Sequence, residues 1–132
     1  MFRKDLAARQ LGIQLIEIAP GSAVMRMAVT REMVNAHDIC HGGFIFSLAD
    51  TAFAYACNSH DVIAVAQHCA ITYLNPARCG DTLTAAATEV ALRGRTGLYD
   101  VCVTAGQTRV AEFRGHSRRL DGTHLGDSPD PG

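Results

Sequence analysis

The sequence predicts an α+β fold in which an antiparallel β-sheet wraps one long central helix. Three observations lead there. One Pro-free stretch, from His41 to Asn58, is rich in Ala, Leu and Phe and apolar in nearly every direction, the pattern of a helix buried on most sides. Six runs with the period of two expected of strands lie before and after it. The chain has 132 residues, 48% of them apolar and 19% charged, which suits one globular core and argues against disorder. Strands on both sides of a single buried helix are best satisfied by a sheet that curls over it.

In chain order, residues 3–11 read as a short amphipathic helix ended by Gly12. IQLIEIA follows with period two up to the turn dipeptide Pro20-Gly21, and SAVMRMAVT returns with Met25, Met27 and Val29 on one face, so the pair reads as a hairpin. Residues 31–40 read as irregular. The central helix is expected to span about 16–18 residues, or ~25 Å. Four more strands are expected, at 62–74, 81–92, 97–105 and 109–119, with Asn75-Pro76 and Gly94-Arg95-Thr96-Gly97 as punctuation. Residues 1–120 are thus read as one domain and 121–132, DGTHLGDSPDPG, as a flexible C-terminal tail. Runs such as VIAVA do not alternate cleanly, so the second sheet face is partly apolar too. A second copy of the chain is expected to cover it, giving a homodimer at least.

Composition excludes several function classes. Twelve Lys and Arg against 13 Asp and Glu leave a net charge of −1, with no basic surplus for nucleic acid or an anionic membrane. The start, MFRKDLAARQLG, lacks the apolar core of a signal peptide, and no apolar run approaches ~18 residues. Cysteines stand at 40, 57, 69, 79 and 102, an odd number with no C-x-x-C pair. That favours reduced thiols in the cytoplasm over a disulfide framework or a zinc ribbon.

The chemistry concentrates in NAHDICHGGFIFSLAD, residues 35–50. His41-Gly42-Gly43 precede the helix, whose first-turn N–H groups have no intrahelical partner and whose dipole attracts negative charge there. The arrangement is a ready oxyanion hole, or a loop-to-helix joint with glycines for tight packing. Asp50 falls within an apolar helix, where an unpaired charge is costly. It is a general base, a nucleophile, or a core aspartate satisfied by water. Gly43 and Asp50 are seven positions apart, hence on one helix face but ~10 Å apart along the axis. A reacting atom must sit ~3 Å from both kinds of group, so one chain cannot close the site with this pair. Two antiparallel helices from two chains can. Asn35 and His41 are the nearby polar candidates, for a hydrogen bond to substrate or for turn chemistry. His37 and His41 span a change from loop to helix, so no metal site is expected. Cys40 lacks an orienting third group and reads as structural.

The pattern N-x-H-x-x-x-H-G-G-x-x-F-x-L-A-D-x-A resembles the hotdog-fold acyl-CoA thioesterases, and HGGFIFSLADTAFAYACNS is similar to their phenylacetate-degradation branch. ITYLNPARCGDTLTAAATE, GRTGLYDVCV and AEFRGHSRRL extend the resemblance over residues 10–120. It implies a hotdog fold, dimers with sheets joined edge to edge, and homotetramers built from them. It implies hydrolysis of phenylacetyl-CoA or hydroxyphenylacetyl-CoA, with no cofactor beyond the coenzyme A of the substrate. By this resemblance Asp50 is the catalytic carboxylate acting across the dimer interface, and the Gly43 N–H meets the thioester carbonyl. Asn35 and His41 line the site, and Gly42 and Thr51 contact the substrate. Where some relatives carry a water-placing hydroxyl, this chain has Ala66, beside Gln67 and His68, so Asn35, Gln67 or no side chain holds the water.

Coenzyme A brings phosphates. Arg114, His116 and Arg118 alternate on one strand face, with Arg93 and Arg95 near the preceding turn, as a phosphate-facing rim or an ordinary solvated edge. Arg95, Thr96, Gly97 and Arg114 are therefore candidate substrate contacts. Two rival activities fit the same scaffold, a hotdog enoyl-CoA hydratase and a non-catalytic acyl-CoA-binding module. The first lacks its acid-base Asp/His pair here, and the second has no need of Asp50.

Overall fold

The computed structural model describes residues 4–121. The tail expected over 121–132 therefore lies, Asp121 apart, outside the described residues. The first helix, α1 (Leu6–Gln10), is shorter than expected: the Asp5 side chain caps it by accepting from the Ala8 N–H at 3.1 Å, and Gly12 turns the chain away with φ +72°. A hairpin follows, β1 (Gln14–Ala19) and β2 (Ser22–Ala28). The stretch read as irregular holds one 3-10 turn (Arg31–Met33) and a bridge between Val34 and Cys40.

The central helix, α2, runs Gly42–Cys57, with His41 and Asn58 as its caps. The two glycines are thus inside its first turn and not in the preceding loop, as the sequence reading had them. Four strands follow: β3 (Ala64–Tyr73), β4 (Thr82–Arg93), β5 (Thr96–Ala105) and β6 (Thr108–Arg119). All six pair antiparallel in one sheet, in the order β1-β2-β4-β5-β6-β3. This is the expected architecture.

The inner sheet face is set by alternation. Met25 and Met27, Leu83 and Ala85, Val101 and Val103, and Ala111 and Phe113 are all buried, while the residues between them face away. Against this face α2 buries Ile45, Leu48, Ala49, Ala52, Phe53, Tyr55, Ala56 and Cys57. Phe53 packs on Tyr99 and Phe113 at 5.7 Å between ring centres, and Phe46 packs edge-on against Phe113 at 5.4 Å. Gly115 makes room for Phe53, since a Cβ there would lie 2.7 Å from the ring.

Two features of this arrangement position the site. One stripe of α2 is not covered: Gly43, Ser47, Asp50 and Ala54, at spacings of four, three and four, are exposed or half-buried. And β3 pairs with β6 on one side only, so its other edge is open along Ala64–Tyr73. Val65, Tyr73 and the adjoining Leu74 are exposed there.

Candidate active site

The loop before α2 is held by Asn35. Its side-chain oxygen accepts the N–H groups of His37 at 2.9 Å and Ile39 at 3.1 Å, and its own N–H donates to the Ile39 carbonyl. Asp38, at the corner, adopts φ +62°. Asn35 is therefore doing turn chemistry with its oxygen, one of the two readings the sequence left open, and its amide NH₂ has no partner among the described residues. His41 is exposed and caps α2 with its backbone only: its N–H donates to the Met33 carbonyl and its carbonyl accepts from Phe44.

With no side chain capping the helix, the N–H groups of Gly42 and Gly43 meet no acceptor among the described residues. The two glycines differ sharply in surroundings. A Cβ on Gly42 would lie 2.7 Å from the ring and hydroxyl of Tyr73, whereas one on Gly43 would meet nothing within 4 Å. The Tyr73 hydroxyl donates to the Gly42 carbonyl at 2.9 Å. Beside them lies an apolar cleft of about 410 Å³, walled by Ile39, Ile45, Leu74, Pro76 and Tyr73.

Asp50 lies two turns further on. No hydrogen bond or ion pair reaches its carboxylate among the described residues, and burial raises its pKa above the ordinary carboxylate value. Ser47 donates to the Gly43 carbonyl at 2.8 Å and Thr51 to the Ser47 carbonyl at 2.7 Å, so both hydroxyl protons are spent inside the helix and neither reaches Asp50. Cys57 and Cys69 are close enough for the Asp50 charge to be felt. Burial pushes the Cys57 thiol up to about 12 and raises Cys69 too, so neither is a thiolate at neutral pH. Cys40 is buried, with its pKa raised by burial, as a structural thiol is.

The stripe brings Gly43, Ser47 and Asp50 together, with Asn35, His41 and Gly42 at its N-terminal end. The basic residues proposed for phosphates lie elsewhere. Arg114 faces away from α2 and is held by Asp100, its cross-strand neighbour, at 2.7 and 3.0 Å. Arg95, in the turn between β4 and β5, donates to Asp121 at 2.9 Å and to the Arg119 carbonyl. Thr96 starts β5 and is exposed. Gly97 is buried, and a Cβ there would lie 2.6 Å from the Ser117 hydroxyl and 2.8 Å from the Tyr99 ring. Packing alone accounts for a glycine at this position. His116 stacks edge-on with His68 at 5.3 Å on the outer face. Ala66 is exposed and pairs with Ser117, next to a bulge between Ala66 and His68. Tyr73 carried no role in the sequence reading. Its signal was alternation, because Cys69, Ile71 and Tyr73 share the face of β3 that looks toward the helix.

A sheet curled over one helix, with spare N–H groups at the helix start and a half-buried carboxylate on its open stripe, is the arrangement of a hotdog-fold hydrolase. Residues 37–112 match the family model described as the thioesterase superfamily. The acyl-coenzyme A thioesterase PaaI of Escherichia coli is 51% identical over 130 residues, covering 97% of this chain and 92% of that protein. The solved structure of E. coli PaaI, from the phenylacetic acid degradation operon, superposes with a TM-score of 0.91 at 50% identity, covering 93% of this chain and 90% of that one. The protein smu.793 of Streptococcus mutans, solved bound to acetyl-CoA, matches with a TM-score of 0.79 at 26% identity, over 84% of this chain and 90% of that one. The chain belongs to the thioesterase superfamily, in its PaaI branch.

Among the described residues no helix is long and apolar enough to cross a membrane.

Proposed function

We propose that the protein hydrolyses an aryl-acetyl-CoA thioester, phenylacetyl-CoA or hydroxyphenylacetyl-CoA, to the free acid and CoA, in a site completed by a second chain. One observation carries the reading: an unpartnered, half-buried Asp50 shares an open helix stripe with the spare N–H of Gly43, at a separation of ~10 Å that one chain cannot bridge. The substrate class follows the PaaI relatives, whose names give acyl-CoA thioesters and phenylacetic acid degradation.

In this reading the thioester carbonyl oxygen is received by the Gly43 N–H, and the α2 dipole stabilises the negative charge that develops on it. Asn35 offers its free amide NH₂ to the same oxygen or to the water, and His41, Gly42 and Thr51 line the approach. The ionised Asp50 of the second chain takes a proton from the attacking water, or attacks the carbonyl carbon itself and is released by water. Both routes convert R–CO–S–CoA and water into R–COOH and CoA–SH. The apolar cleft beside Gly42 carries no charged side chain, which suits an uncharged acyl group.

An open sheet edge supports the pairing with a second chain. The open edge of β3 has no Pro and no Lys to block pairing, so two copies join there with their α2 stripes facing. The outer sheet face carries Val24, Ala70, Ala86 and Leu98, which a second dimer covers to give the homotetramer. Coenzyme A as substrate and five free cysteines agree with a cytoplasmic place.

Thiol release from phenylacetyl-CoA, a plain short acyl-CoA and crotonyl-CoA tests the assignment. The expected order of kcat/KM is that order, with no hydration of the crotonyl double bond. Hydration without thiol release would establish the hydratase instead, and binding without turnover the non-catalytic module.

A further inference from the structure

The Tyr73 hydroxyl and the Gly43 N–H are attached to the same peptide unit. The hydroxyl donates to the Gly42 carbonyl at 2.9 Å, and the carbonyl of residue 42 and the N–H of residue 43 are the two ends of one planar, resonant amide. A hydrogen bond accepted at the oxygen draws electron density from the nitrogen and makes the N–H a stronger donor, as in other polarised hydrogen-bond chains. We propose that Tyr73 is a positioning residue for the reaction: it polarises and orients the one peptide whose N–H receives the thioester oxygen. The inference rests on the reading of Gly43 above.

Several features of the chain fit this role. Gly42 is required by it, because any Cβ would displace the Tyr73 ring. Tyr73 ends β3, so the ring spans from the sheet to the first turn of the helix and fixes the plane of that peptide. Burial raises its pKa, with the nearby Cys40 adding to the rise, so the phenol keeps its proton at neutral pH and remains a donor. The Gly42 carbonyl also lies where the helix's own i to i+4 bond forms, so two donors converge on one oxygen.

Tyr73→Phe is the test, because it keeps the ring against Gly42 and removes only the O–H. If one polarising bond supplies ten to thirty per cent of what an oxyanion donor contributes, kcat on phenylacetyl-CoA falls about two- to eightfold. KM stays within about twofold. A spectroscopic readout isolates the cause: the carbonyl stretch of ¹³C-labelled phenylacetyl-CoA bound to the slow Asp50→Asn variant. It is expected below its frequency in water, and adding Tyr73→Phe moves it back upward. An unchanged kcat with an unchanged stretch overturns the proposal. So does a raised KM at full kcat, which would make Tyr73 a binding contact alone. Full activity in Asp50→Asn sinks the site reading itself, whatever Tyr73→Phe does, so the two failures are separable.

Discussion

The two ends of α2 are built on opposite principles. At the C-terminal end the polar side chains of Asn58, Ser59 and His60 are all answered. Asn58 donates to the carbonyls of Ala54 and Ala64 and accepts the Ala64 N–H. Ser59 donates to Ala56 and accepts the Gly21 N–H. Glu89 accepts from the buried Tyr99 hydroxyl and pairs with His60, each at 2.8 Å. Partial burial raises the Glu89 carboxyl, but these two hydrogen bonds outweigh it and the net displacement is downward. At the N-terminal end the His41 cap makes no side-chain hydrogen bond and two N–H groups are spare among the described residues, and Asp50, midway along α2 on the same open stripe, is half-buried without a hydrogen-bond partner among them. Buried polar groups are normally satisfied, and the unfinished groups are the ones to which the proposed function gives a ligand and a second chain.

Substitutions at the two ends are expected to separate activity from stability. On the open stripe, Asp50→Asn lowers kcat by about a hundredfold or more, the scale of a lost general base, in a thiol-release assay. Its stability moves the other way. A carboxyl whose folded pKa is raised binds its proton more tightly when folded, so ionising it opposes folding. That cost is absent at acid pH and grows as pH rises through the ordinary carboxylate value of about 4. Thermal unfolding at pH 7 should therefore show Asp50→Asn as stable as the wild type or more so, with the advantage vanishing near pH 3. Lower stability at pH 7 would mean that Asp50 has a structural partner.

At the closed end the expectation reverses. Asn58→Ala strips the side chain's hydrogen bonds to Ala54, Cys57 and Ala64 and leaves the Ala64 N–H and carbonyl without that partner, at a cost of about 2–3 kcal/mol in urea unfolding. The activity of each folded molecule stays near normal, because nothing at that end reaches Gly43. If kcat fell in step with stability, the two ends would not be independent.

The sequence carried the architecture well because it rests on periodicity. The apolar run from Phe44 to Cys57 and the alternation through Met25 and Met27 dictate which faces are inside, whatever the details of the loops. The Gly43–Asp50 spacing was legible for the same reason, being helix geometry alone. What was not legible depends on contacts between distant segments. That Gly42 is held by Tyr73, 31 positions away, and that Gly97 lies against Ser117 follow from strand register. Local sequence shows only that a glycine is present. Arg114 looked free in sequence because its partner Asp100 is on another strand. The extent of α1 was overestimated because Asp5 caps it late, and a cap side chain is only identified once the N–H it accepts is known.

The central claim is that Gly43 and Asp50 act from different chains. Two inactive variants test it directly, Asp50→Asn and Gly43→Pro, the latter removing the one N–H at a first-turn helix position where proline is tolerated. Mixed in equal amounts under conditions that let subunits exchange, half of the re-paired dimers are heterodimers with one intact site of two, so about a quarter of the wild-type kcat should return. A mixture no more active than its two components, with exchange confirmed, would contradict the account.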